Sequence, residues 1–219
     1  MAANTHLKRF LIRIAVLFVL VGGSTTVIVK LQNIKPNQEQ EVISNSSGTD
    51  QKGRLQFYEG LGGNFTLHNH HGESASLEDF KGKVVLVNFG YTNCPDICPM
   101  VLSRLKQLMK KLDNQVDQVQ TLFITIDPER DTAEHLKSYM AHFHPSFIGL
   151  TGTLEEIEKT ARQYGAAFIR QEVESDLKYL FAHSDYVYLI DKKGNLRAFY
   201  RSDATLEQIT EDIKTLLAQ

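Results

Sequence analysis

The stretch Val84-Val85-Leu86-Val87-Asn88-Phe89-Gly90-Tyr91-Thr92-Asn93-Cys94-Pro95-Asp96-Ile97-Cys98-Pro99 decides the fold. Its first six residues are an almost unbroken apolar run rich in β-branched side chains. Such a run predicts a strand covered on both faces of a sheet. Pro99 suits the first position of a helix, and Leu102, Leu105, Leu108, Met109 and Leu112 then recur at helical spacing. A buried strand therefore passes through a Pro-rich turn holding both cysteines of the chain into an amphipathic helix.

Working outward, Phe65–Leu67 and Ser74–Leu77 flank a polar turn at His68–Gly72 and predict an opening β-hairpin, closed off by Leu77–Phe80 and Gly82. Thr121–Ile126 predicts a second central strand. Asp131-Thr132-Ala133-Glu134 carries an N-cap signature, and Thr153-Leu154-Glu155-Glu156 is a capping box for a third helix. Tyr186–Ile190, the turn Asp191–Asn195 and Leu196–Tyr200 predict a C-terminal hairpin, and Thr205–Leu217 a closing amphipathic helix. A leading hairpin, βαβ crossovers, a second hairpin and a final helix is the element order of a thioredoxin-like, three-layer α/β sandwich. In such a sheet the cysteine turn lies at the carboxyl edge of a central strand, where sites in open α/β folds form.

The chain has 219 residues, with 24 Lys+Arg against 26 Asp+Glu and a net charge of -2. That balance excludes a polybasic nucleic-acid binder. Lys8 and Arg9 precede an apolar run from Phe10 to Val29 that is interrupted by Arg13 and by small residues at 22–26. Residues 1–30 thus read as a cytoplasmic tail and single transmembrane anchor, with a cleaved signal peptide as the other reading. Either way, positive charges before the run place the remainder of the chain outside, so the expected location is the inner membrane with the globular part in the periplasm. Residues 31–53 are polar and read as a flexible tether, and 54–219 as the folded domain.

Only Cys94 and Cys98 are present, which excludes a disulfide framework and a four-thiolate zinc site. With Pro99 first in the helix, Cys98 would be the N-cap, where free amide groups and the helix dipole favour thiolate. The three-residue spacing permits a reversible disulfide and equally permits chelation of one metal ion. Two soft thiolates without four Cys or His ligands nearby favour Cu(I), with one further donor to be found. His183 is the candidate. In a thioredoxin-like fold the segment entering the last hairpin packs against the cysteine turn, and redox members place a cis-proline there; this sequence has no Pro after Pro145. The alternative, a membrane-tethered thiol–disulfide oxidoreductase or peroxidase, would use the same cysteines with Thr92 and Arg130 as supporting groups. Of the other histidines, His68, His70 and His71 cluster in the first turn as a candidate secondary metal site. His142 and His144 sit near a helix end, where cationic side chains suit the dipole, and His6 and His135 suggest no role.

Three separated segments carry a resemblance: Phe89-Gly90-Tyr91-Thr92 leading into Cys94-Pro95-Asp96-Ile97-Cys98-Pro99; Asp127-Pro128-Glu129-Arg130-Asp131-Thr132; and His183-Ser184 with Tyr188-Leu189-Ile190-Asp191. From about Phe57 onward the chain resembles the Sco/SenC family of copper-binding assembly proteins for cytochrome c oxidase. The resemblance implies a tethered thioredoxin-like domain that binds one copper, Cu(I) or Cu(II), through Cys94, Cys98 and His183. It implies a metallochaperone rather than a turnover enzyme, with oxidase subunit II or another exported copper protein as recipient and a thiol reductant as a further partner. The sequence departs from the family at Ala182, where an Asp commonly precedes the ligand His; that carboxylate would act on the copper site or on a partner.

Overall fold

The computed structural model describes residues 55–219. The expectations for residues 1–53, an anchor and a tether, lie outside the described residues. Among the described residues no helix is long and apolar enough to cross a membrane.

Nine strands form among the described residues. A seven-stranded mixed sheet contains β1 (Thr66–Asn69), β2 (Ser74–Ser76), β3 (Val84–Gly90), β4 (Val119–Thr125), β5 (Ile148–Thr151), β8 (Val187–Ile190) and β9 (Leu196–Tyr200), in the order β2-β1-β5-β4-β3-β8-β9. A separate two-stranded antiparallel ribbon pairs β6 (Phe168–Glu172) with β7 (Tyr179–His183). The helices are α1 (Ile97–Leu112), α2 (Ala133–Ala141), α3 (Leu154–Gln163) and α4 (Leu206–Leu217). Strands β3 and β4 run parallel in the register Gly90↔Thr125, and every residue of both is buried. The opening hairpin, both central strands, the capping box at Thr153, the last hairpin and the last helix thus form where the residue pattern predicts them.

Alternation along β3 distributes the core. Phe89 points into an aromatic cluster with Tyr164, at the end of α3, and Tyr188 of β8. Gly90 points the other way, toward Phe123 and Cys98, on the side where Phe123 meets Tyr139 of α2. Helices α1 and α4 pack together, and α2 packs on β5. At the far end of the last hairpin, Asp191 accepts hydrogen bonds from the backbone of Lys193 and Asn195 and pairs with a nearly buried Arg197 at 3.2 Å. These contacts fix a turn that Gly194 completes at φ 90°.

Three features differ from the sequence expectation. Helix α1 begins at Ile97 with Asp96 as its N-cap, so Pro99 is its third residue and Cys98 its second. The first four helical amides lack intrahelical partners, so a proline at the third position costs no hydrogen bond; the first helical bond runs from Met100 N–H to the Asp96 carbonyl at 3.3 Å. Strand β5 and the β6–β7 ribbon carry no expectation from the sequence, β5 because it is four residues long, the ribbon because its first strand is largely exposed.

Candidate metal centre

Strand β3 delivers Tyr91, fully buried, to the mouth of the cysteine turn, and the Cys94 amide closes that turn on the Tyr91 carbonyl at 3.3 Å. The first turn of α1 then brings Cys98 back over the strand end. A Cβ added at Gly90 would stand 2.9 Å from Cys98 Sγ and 2.8 Å from the Phe123 ring. Only glycine leaves room for the sulfur there.

His183, the last residue of β7, reaches the same place from the ribbon. The Cys94, Cys98 and His183 donor atoms lie within 4.8 Å of one another, the one such group of three among the described residues. His183 Nε2 stands 3.5 Å from Cys98 Sγ, and its ring meets Tyr91 edge-on at 5.8 Å. Nδ1 is 2.9 Å from the Ser184 carbonyl. A carbonyl only accepts, so Nδ1 carries a proton, and in the neutral ring the Nε2 lone pair faces the sulfurs. That is the tautomer a metal ligand needs.

The cysteines are free thiols of unequal exposure, Cys94 9% and Cys98 1%. Within 4.8 Å of each other, the two sulfurs cannot easily both be ionised. The neighbouring Cys98 thiol holds Cys94 well below the ordinary thiol range, while Cys94 and burial push Cys98 up. The first thiolate therefore forms on Cys94, in contrast to the expectation of an activated Cys98 at the N-cap; burial outweighs the dipole at the second helical position. Burial alone would lower the His183 pKa, but the nearby Cys94 sulfur and the Ser184 carbonyl reverse the sign and raise it.

The supporting groups suggested for a peroxidase make structural bonds, with Arg130 Nη2 alone left buried without a hydrogen-bond partner. Thr92 Oγ1 donates to Asp131 at 2.5 Å, and Arg130 is held by Asp127 at 2.5 Å and by the Leu177 and Tyr179 carbonyls. The histidine cluster in the first turn does not make a second site either. His70 Nδ1 accepts from Gly149 N–H at 2.9 Å, so its proton resides on Nε2, 3.0 Å from His71 Nε2. No lone pair remains on His70 for a metal. His142 caps α2 and donates from Nδ1 to the Ser138 carbonyl at 2.8 Å, a local role at the helix end.

Two contributors escape a reading by motif. Tyr91 Oη accepts from Phe181 N–H at 3.2 Å, joining the cysteine turn to the ribbon. Asp131, fully buried, accepts from Thr92 N–H, Thr92 Oγ1 and Thr125 Oγ1. Burial raises its pKa against the pull of those donors. The Asp in Asp131-Thr132 reads as part of a helix start; its side chain instead turns inward, away from the capping place that Thr132 fills.

A mixed α/β domain with a central sheet carries, at its strand edge, a Cys2His donor set of the kind that suits soft metals or thiol chemistry. The SCO1/SenC family profile matches residues 54–218, and the chain belongs to that family. It is similar to the mitochondrial SCO2 homolog of Bos taurus, 38% identical over 158 residues, which are 71% of this chain and 59% of the bovine protein. The chain thus matches well under two thirds of that relative's length. Among solved structures it is similar to Bradyrhizobium japonicum ScoI with copper bound, at TM-score 0.66 and 32% identity over 72% of this chain and 99% of that one. It is also similar to BsSco, described as a member of the Sco family of cytochrome c oxidase assembly proteins with a disulfide switch, at TM-score 0.62 and 30% identity over 77% of this chain and 99% of that one.

Proposed function

We propose that this chain binds one copper ion through Cys94 Sγ, Cys98 Sγ and His183 Nε2 and carries it to a copper site of cytochrome c oxidase, on subunit II or on another exported copper protein. The observation that carries the reading is the convergence of two sulfurs and an imidazole nitrogen within 4.8 Å. Two thiolates suit Cu(I), and the imidazole adds the donor that Cu(II) needs. Copper is cargo here, and the protein is a metallochaperone rather than a turnover enzyme. The copper-bound relative supports the choice of metal, and the assembly role described for BsSco supports the choice of recipient.

The domain is a thioredoxin-like three-layer sandwich over residues 54–219, carried by a tether at 31–53 and a membrane segment within 1–30, on the periplasmic side of the inner membrane. Anaerobic titration of the reduced protein tests the copper reading. One equivalent of Cu(I) binds, and Cu(II) gives sulfur-to-copper charge-transfer absorption. No binding by fully reduced protein, or undiminished binding by protein oxidised until no thiol is free, sinks it.

A second reading draws on the greater exposure of Cys94 and its depressed pKa beside Cys98. Cys94 as the thiolate can attack a partner's disulfide, and Cys98 then displaces that partner, so that the pair passes two electrons onward and becomes a disulfide. This dithiol chemistry would keep a recipient's thiols reduced and would itself need an external thiol reductant.

A further inference from the structure

The segment Asp127–Asp131 supplies no ligand to the centre, yet its side chains are bonded to both halves of it. On one side Asp131 accepts three hydrogen bonds. Two come from Thr92, N–H at 3.0 Å and Oγ1 at 2.5 Å, two residues before Cys94; the third comes from Thr125 Oγ1 at 2.6 Å, at the end of β4. On the other side Asp127, equally buried, accepts from Tyr179 Oη at 2.9 Å and from Arg130 Nε at 2.5 Å. Arg130 in turn donates from Nη1 to the carbonyls of Leu177 and Tyr179, at 2.9 and 3.1 Å, and stacks on the Tyr179 ring at 3.7 Å. Tyr179 opens β7, and His183 closes it. The loop itself is drawn tight: Asp131 N–H returns to the Asp127 carbonyl at 2.9 Å, and Asp127 N–H to Thr125 Oγ1 at 3.0 Å.

The ribbon needs such a support. A two-stranded hairpin is marginal on its own in water, and every residue of β6 after Phe168 is exposed. A buried carboxylate that accepts two or three donors is a stiff joint, because releasing any one donor leaves a desolvated charge less well satisfied. Two such joints, four residues apart in one tight loop, tie the cysteine turn and the histidine strand to the same piece of the sheet edge.

We propose that the Asp127–Asp131 loop is a positioning device for the metal centre, its two carboxylates fixing the distance between the cysteine turn and the strand that carries His183. The inference rests on the copper reading above for its consequence, and on the metal-free protein for its geometry. Asp131 holds the sulfur half, and Asp127 with Arg130 and Tyr179 holds the imidazole half. Loss of the second joint costs Cu(II), which needs the imidazole, more than Cu(I), which two sulfurs can hold.

The test uses the full chain in detergent micelles, with Asp131→Asn and Thr92→Val on one side, Asp127→Asn and Tyr179→Phe on the other, and Asp191→Asn as a destabilised control remote from the site. Thr92→Val deletes one side-chain hydrogen bond and Tyr179→Phe those to Asp127 and Glu129, and both keep the test open should a carboxylate variant not fold. In metal-free protein, the first pair shifts the amide resonances of residues 91–98 and spares the His183 imidazole nitrogens; the second pair does the reverse. In chelator competition each variant loses about tenfold in Cu(II) affinity, the lower end of what outer contacts of a metal ligand supply, and the second pair keeps its Cu(I) affinity. The proposal is overturned if folded variants leave both sets of resonances in place, or if Asp191→Asn loses as much Cu(II) affinity as they do. A wild-type chain that binds no copper defeats the copper reading, while the metal-free resonances still decide the positioning role.

Discussion

The two halves of the centre are held in different ways. The cysteine turn is continuous with β3 and α1, whose residues form the middle of the core, and Cys98 is packed so closely that the strand beneath it has to be glycine. His183 hangs at the end of a ribbon outside the main sheet, with Ile169 and much of β6 in water. The sulfur half is fixed by packing in the core; the imidazole half is held by aromatic contacts of Phe181 and His183 with Tyr91 and by a few polar contacts at the base of the ribbon. Packing tolerates no extra atom, whereas polar contacts can be removed one at a time with the fold intact. The sulfurs therefore depend on the core for their place, and the imidazole on the contacts that dock the ribbon.

The largest effect that separates the halves is removal of a ligand. Cys94→Ser or Cys98→Ser lowers affinity for both oxidation states by more than the roughly 10–100-fold typical of outer contacts, whereas His183→Ala weakens Cu(II) far more than Cu(I). Chelator competition for each oxidation state checks this, and equal losses in His183→Ala erase the distinction. Next in size is a perturbation that belongs to neither half. Asp191→Ala leaves Arg197 nearly buried without its partner and costs about 3 kcal/mol in urea unfolding, with copper affinity kept.

The same residue sets a pH dependence. Burial would raise the Asp191 carboxyl, but hydrogen bonds from Asn195 and Lys193 and the Arg197 charge bring it below its ordinary value. Its stabilising contribution is therefore complete above about pH 4, the unfolded value, and is lost as pH falls through the lower folded value. Asp191→Asn flattens that part of the stability–pH curve; an unchanged acid limb contradicts the assignment.

A smaller effect probes the packed half. Gly90→Ala adds a methyl within 2.9 Å of Cys98 Sγ and costs about 1–3 kcal/mol, with a loss of Cu(I) affinity that Asp191→Ala does not share. The smallest falls on the ribbon. Ala182 is exposed on β7 and alternates to the opposite face from His183, whose Nδ1 the Ser184 carbonyl already engages. Ala182→Asp therefore changes Cu(II) affinity by less than about tenfold, below the upper range of outer contacts. A larger gain shows that a carboxylate there reaches the ligand after all.

Legibility in the sequence divides along the same line. Val84–Phe89 is apolar because both faces of β3 are covered, and that is a property of the residues themselves. The capping box at Thr153–Glu156 is likewise local, and forms as its spacing predicts. The ribbon is not legible, since Ile169–Glu172 face solvent and β6 has no buried side to print an alternation. Asp131 is not legible either. Beside Thr132 it looks like a helix start, and nothing in sequence tells that its partner is Thr92, 39 residues earlier. His183 could be found because it stands at a known place relative to the last hairpin, but its route there, through a strand, could not.

The bond from His183 to the Ser184 carbonyl has one more consequence. The proton on the ring is claimed by the very next peptide group, so the choice of nitrogen travels with the dipeptide and does not depend on the cysteines, on the loop at Asp127 or on whatever docks against the site. The nitrogen left for a metal on the neutral ring is therefore fixed by the backbone before any ligand partner is in place.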